Sequence, residues 1–135
     1  MGYVLLLEDE ALIAAVLSKK LENIIDDEIV ICRSLETAFD RVAKGLPNAA
    51  FLDVNLGDKT SFGIAAWLLN RSAAVCFLTS YSRQSLQAIG LPQELENVQI
   101  VSKSSTAPKL AEIVRNLNGS ELTNTDVAPS PPAKT

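Results

Sequence analysis

The chain has 135 residues, 47% of them apolar and 21% charged, which suits one soluble domain with a core of its own. A net charge of -4 without any basic run argues against phosphate-tracking nucleic-acid binding, and no apolar stretch approaches a bilayer span. No histidine is present, which excludes Ser-His and Cys-His nucleophile pairs, His-rich zinc sites and a phosphohistidine donor.

The elements follow in chain order. Residues 3–7 (YVLLL) read as a strand buried on both faces, and the acids Glu8 and Asp9 follow at once. Leu12, Ile13, Val16, Leu17, Leu21 and Ile24 recur at helical spacing over 10–25, with Asp9 placed as N-cap. A second strand spans 28–32. Ser34 caps a helix with the stripe Leu35, Ala38, Phe39 and Val42, ended by Gly45 and Pro47. The third strand, 49–54, carries Asp53. Gly57–Thr60 read as a polar loop, and Ser61 as a cap for a helix with Phe62, Ile64, Ala65, Leu68 and Leu69. Trp67 on that helix reads as core or layer flank. The fourth strand spans 73–79 and ends at Thr79. Residues 81–89 are weakly helical and break at Gly90-Leu91-Pro92. The fifth strand, 98–102, runs into Lys103. Thr106-Ala-Pro108 opens a last helix with the stripe Leu110, Ile113, Val114 and Leu117, stopped at Asn118-Gly119. The folded domain is expected over 1–118. Residues 119–135, with three prolines and no periodicity, read as a disordered tail.

Strand and helix alternate five times. Right-handed crossovers then favour a doubly wound, flavodoxin-like (βα)5 parallel sheet in the order 2-1-3-4-5. Ligands of such sheets sit beyond the carboxyl ends of the strands at the switch point, here between strands one and three. Cys32 and Cys76 lie inside apolar runs and read as buried thiols in a cytoplasmic protein.

Four strand endings therefore converge at one edge. Glu8, Asp9 and Asp53 supply carboxylates, Thr79 a hydroxyl and Lys103 an ammonium group. Crowded carboxylates must protonate or take a cation, and Mg2+ suits oxygen ligands. Asp53, Asp9 and Glu8 would hold it, with the backbone carbonyl of Asn55 completing the protein's share. A phosphoryl group accepted on Asp53 would meet the cation, Lys103 and the Thr79 hydroxyl. Each residue also has an ordinary reading: Asp9 as helix cap, Glu8 as a solvated strand end, Thr79 in a turn, Lys103 as surface charge.

LLLEDE at 5–10, FLDVNLG at 51–57, FLTSY at 77–81 and VSK at 101–103 together resemble the receiver domain of two-component response regulators, over residues 3–118. The resemblance implies a CheY-like fold, Mg2+ dependence and phosphoryl transfer from a histidine kinase or histidine phosphotransfer protein. It makes Asp53 the acceptor, Glu8 and Asp9 the acidic pair, Thr79 the switch hydroxyl and Lys103 the phosphate-binding lysine. VNLG after the acceptor and Thr79-x-Tyr81 resemble the single-domain "FATGY" regulators of alphaproteobacterial stress signalling, with Ser80 in place of the usual glycine. That likeness implies Tyr81 as the aromatic switch participant, since Ile100 stands where many receivers have an aromatic. Ser104 follows Lys103 where receivers usually carry a proline, which implies a more mobile or differently aimed loop. The expectation is a stand-alone receiver, not a turnover enzyme, that signals to a downstream regulatory protein through a switched surface. The rival readings are a phosphorylation-independent pseudo-receiver that serves as a protein-interaction module, and a Mg2+-dependent aspartyl phosphatase. The latter would want an acid where Asn55 stands.

Overall fold

A computed structural model describes residues 2–122, with side chains through Leu117. Five strands, β1 (Tyr3–Leu7), β2 (Glu28–Cys32), β3 (Ala49–Asp53), β6 (Ala74–Leu78) and β7 (Gln99–Val101), form one parallel sheet in the order β2-β1-β3-β6-β7. This is the expected doubly wound order. Two short strands, β4 (Asn55–Leu56) and β5 (Lys59–Thr60), pair antiparallel between β3 and the next helix. The sequence reading had a plain loop there. Gly57, at φ 70°, supplies the left-handed residue that the tight turn needs.

Alternation along the strands divides the core into two layers. Leu5 and Leu7 of β1 pack with Leu52, Val75 and Phe77 toward α2 (Leu35–Lys44) and α3 (Phe62–Leu69). Val4 and Leu6 pack with Phe51, Cys76 and Leu78 toward α1 (Ala11–Glu22) and α5 (Ala107–Leu122). Helices thus cover both faces, so the central strands carry continuous apolar runs. Burying each such Leu or Phe contributes about 2 kcal/mol. Cys32 and Cys76 are buried free thiols, and burial pushes the Cys76 thiol up to about 12.

The helices depart from the sequence reading at several points, among them Phe39 of the predicted α2 stripe, which is exposed. α1 is capped at Glu10 rather than Asp9, and the Glu10 side chain makes no capping bond. Its apolar stripe is narrower than predicted: Leu17 and Leu21 are buried, whereas Leu12 is 78% exposed and Val16 48%. Ser34 caps α2 as expected, in a reciprocal pair with Thr37. Ser61 stands at the N-cap of α3, but its buried hydroxyl makes no cap bond. Asn118-Gly119 do not end α5, which runs to Leu122. The rest of the proposed tail, 123–135, lies outside the described residues. No helix of the described residues is long and apolar enough to cross a membrane.

Candidate functional site

Strand register builds the site. Leu7 is level with Cys32 and Leu52, Asp53 with Leu78, and Leu78 with Val101. The residues that leave the carboxyl ends of β1, β3, β6 and β7 therefore meet at one edge. Bonds from Glu8 N–H to Cys32 O at 3.1 Å and from Thr79 N–H to Val101 O at 2.9 Å extend the ladder one step beyond the strands. An open hollow of about 440 Å3 lies there, lined by Asp9, Glu10, Ile13, Asp53, Asn55, Thr79, Ser80, Tyr81 and Lys103. A roomier hollow of about 510 Å3 sits among Leu69, Val75, Gln99 and Leu117, away from these groups.

Lys103 organises the hollow. Its Nζ stands 2.9 Å from Glu8 Oε1 and 3.0 Å from Asp53 Oδ2. Glu8 is fully buried, and its other oxygen accepts the Glu10 amide at 3.1 Å. No aligned hydrogen-bond donor faces Oε1, so its partner is the ammonium charge itself. Glu8 is thus not a solvated strand end, and Lys103 is not a free surface charge. Asp53 Oδ1 accepts a long bond from the Asn55 amide at 3.4 Å. Thr79 is buried, and its hydroxyl accepts the Tyr81 amide at 3.1 Å. The Tyr81 side chain is exposed beside the hollow.

Burial raises the Asp53 carboxyl to about 6; Lys103 opposes that rise and the Glu8 charge adds to it. Burial pulls the Lys103 ammonium down, but Glu8 and Asp53 outweigh it and hold the group above the ordinary lysine value. Lys103 is therefore charged at neutral pH. One ammonium between two acids leaves the pocket short of positive charge. Oxygens of Glu8, Asp9 and Asp53 lie within 4.8 Å of one another. That spacing and an all-oxygen donor set fit a hard divalent cation. Asp9 is open for this role, because the helix cap assigned to it falls on Glu10.

Sequence reading missed three cations. Arg33, the residue after β2, donates from Nε and Nη2 to the Asp9 carbonyl at 3.1 and 3.0 Å. The same strand-end rule that found the others would have found it one position beyond Cys32. Lys20 on α1 donates to the Ser105 carbonyl at 2.9 Å. Arg83, first residue of α4 (Arg83–Ala88), donates to the carbonyls of Glu96 and Val98, the latter at 2.9 Å. A long side chain that reaches for a distant carbonyl leaves no periodic trace, so neither of the last two was legible.

No protein-family model matches the chain. The sensory transduction protein LytT of Bacillus subtilis (strain 168) is 34% identical over 88 residues, which cover 63% of this chain. The chain spans about a third, 36%, of that curated relative's length. Among solved structures, SdrG from Sphingomonas melonis Fr1 is 29% identical, with a TM-score of 0.70 over 87% of this chain and 97% of that one. The signal receiver domain of an HD domain-containing protein from Pseudomonas fluorescens Pf-5 reaches 0.78 at 16% identity, over 94% and 93% of the two chains. A response regulator receiver domain protein from Clostridium thermocellum reaches 0.73 at 17%, over 90% and 98%. The structural neighbours are response regulator receiver domains, and this chain has their fold.

Proposed function

We propose that the chain is a response regulator receiver that accepts a phosphoryl group on Asp53 from a histidine kinase or histidine phosphotransfer protein. The observation that carries this reading is Lys103 bridging Glu8 and Asp53, with Asp9 and Thr79 at the same hollow. A buried acid with a charged lysine at hydrogen-bond distance and two further acids beside it supports an acceptor role for Asp53. An Asp53 oxygen attacks phosphorus as the P–N bond to the donor imidazole breaks. The bond's electron pair stays on that nitrogen, which takes a proton from solvent.

Glu8, Asp9 and Asp53 would hold Mg2+, together with the Asn55 carbonyl. When bound, the cation offsets the charge of the arriving phosphoryl oxygens. Lys103 turns from Asp53 to a phosphoryl oxygen, and the Thr79 hydroxyl donates to another. That donation draws Thr79 away from the Tyr81 amide it now accepts. Tyr81 then moves with residues 80–92, a segment whose helix α4 buries only Leu86. The new charge of about -1.5 to -2 is thus read out as a changed surface for a downstream protein. No turnover enzyme is needed for this role. The finer placement, with the FATGY regulators, rests on VNLG at 54–57 and on Thr79-x-Tyr81, and Ile100 favours Tyr81 as the aromatic participant.

The pseudo-receiver reading rested on Ser104 after Lys103. Lys103 nevertheless stands 3.0 Å from Asp53, which favours the phosphate-accepting form. Incubation with Mg2+ and acetyl phosphate tests the choice by mass spectrometry. An adduct that disappears in Asp53→Asn supports the receiver. No adduct supports the silent module, and steady release of phosphate supports a phosphatase.

A further inference from the structure

The loop after Lys103 lacks a proline, yet the ammonium it carries is well placed. A compact turn takes the proline's part. The Ser104 amide donates to Ser102 Oγ at 3.2 Å, the two serine hydroxyls lie 2.9 Å apart, and the Ser105 amide donates to Ser102 O at 3.1 Å. Every peptide bond among the described residues is trans. The turn is then tied down from outside. Lys20 Nζ, on α1, donates to the Ser105 carbonyl at 2.9 Å.

Lys20 is part-buried, and among the described residues it forms no ion pair with a carboxylate. Its ammonium is spent on one backbone carbonyl in the loop that bears Lys103. Holding a long side chain in one place costs rotamer entropy, which a charge-assisted bond offsets. The geometry has a further consequence. α1 follows Glu8 and Asp9 directly, so one helix is joined at its start to the acids and grips, through Lys20, the loop of their counter-cation.

We infer that Lys20 is a positioning residue: through the Ser105 carbonyl it fixes the Ser102–Ser105 turn and so sets Lys103 between Glu8 and Asp53. The consequence for phosphoryl acceptance rests on the receiver reading above, while the hold on the turn does not. Two readouts on the full chain separate them. With Mg2+ and acetyl phosphate, Lys20→Ala is expected to slow adduct formation roughly tenfold, since small misplacements of a charge-stabilising group are costly. Lys20→Arg keeps most of the rate. Lys19→Ala, which removes the same charge from the exposed neighbour, leaves the rate unchanged. In a Lys103→Ala background, Lys20→Ala adds nothing further if it acts through Lys103. Amide exchange at Ser105 quickens in Lys20→Ala and stays as in the wild type in Lys19→Ala.

A wild-type rate in Lys20→Ala, or an equal slowing with and without Lys103, overturns the inference. A wild-type protein that takes up no phosphoryl group sinks the receiver reading instead. In that event the exchange arm decides: unchanged Ser105 protection in Lys20→Ala ends the positional claim, and lost protection upholds it.

Discussion

Glu8 Oε1 and Lys103 Nζ meet at 2.9 Å, with the acid fully shut from solvent and the lysine a quarter exposed. Removing the cation from such a pair strands a buried charge, which costs far more than losing a surface salt bridge. Lys103→Met is expected to destabilise the fold by about 3 kcal/mol in metal-free buffer. Saturating Mg2+ should recover part of that loss, because both cations offset the same carboxylates. Urea unfolding with and without Mg2+ measures both effects. An equal loss in the two buffers would show that the pair does not share its role with a metal.

Asp53 gives a pH signature. Its folded-state pKa, about 6, lies above the ordinary carboxylate value, so the folded chain binds the proton more tightly than the unfolded one. Stability therefore falls as pH rises from about 4 to about 6, and the cost is complete above that window. Asp53→Asn removes this cost. Its melting temperature should exceed the wild type by ~4 °C at pH 8 and converge with it toward pH 4. A gap of constant size across that range would remove Asp53 as the titrating group.

Mg2+ itself should stabilise the protein by mass action. At ten times its Kd the gain is about 1.4 kcal/mol, read as a saturable rise in melting temperature. Asp9→Asn should abolish the rise while barely changing the metal-free melting point, since Asp9 is not a helix cap. A rise that survives Asp9→Asn places the cation elsewhere.

Thr79→Ala deletes the acceptor of the Tyr81 amide bond. Exchange of that amide should quicken in the unphosphorylated protein, whereas in the wild type it should quicken only after phosphorylation. Tyr81→Ala should shorten the lifetime of the aspartyl phosphate, because the ring stands beside the hollow where it can screen the adduct from water. Loss of radiolabelled phosphate over time gives that lifetime directly.

Two leucines on α1 should behave in opposite ways. Leu12→Ala should shift stability by no more than about 0.5 kcal/mol, and Leu17→Ala should cost about 3 kcal/mol. Leu12 is 78% exposed and Leu17 is 1% exposed. Chemical denaturation of both variants settles the orientation of the helix.

That contrast marks what the sequence could and could not convey. The β1 and β3 runs were legible because strands buried on both faces read as continuous apolar segments, and the acids at their carboxyl ends stand out against them. The strand order followed from crossover handedness. The width of a helix's buried stripe was not legible: Leu12 and Leu17 share the same spacing pattern, and only the position of the sheet distinguishes them. The Asp9 cap failed for a related reason, since Asp9 and Glu10 are adjacent acids and the start of α1 is set by tertiary packing. Glu8, Asp9, Asp53, Thr79 and Lys103 were found because each ends a strand. Arg33 obeys the same rule and was passed over because β2 ends in a cysteine. Lys20 and Arg83 act through backbone carbonyls far along the chain, which no motif records.

The chain's single tryptophan is not among the residues that line the acid hollow. Trp67 packs against the α2–α3 layer, and the Arg71 guanidinium covers its ring at 3.7 Å while donating to its carbonyl. Its fluorescence will therefore track melting of that layer and stay blind to cations entering between Asp9 and Asp53. An optical titration of the acid pocket needs a chromophore introduced nearer Tyr81.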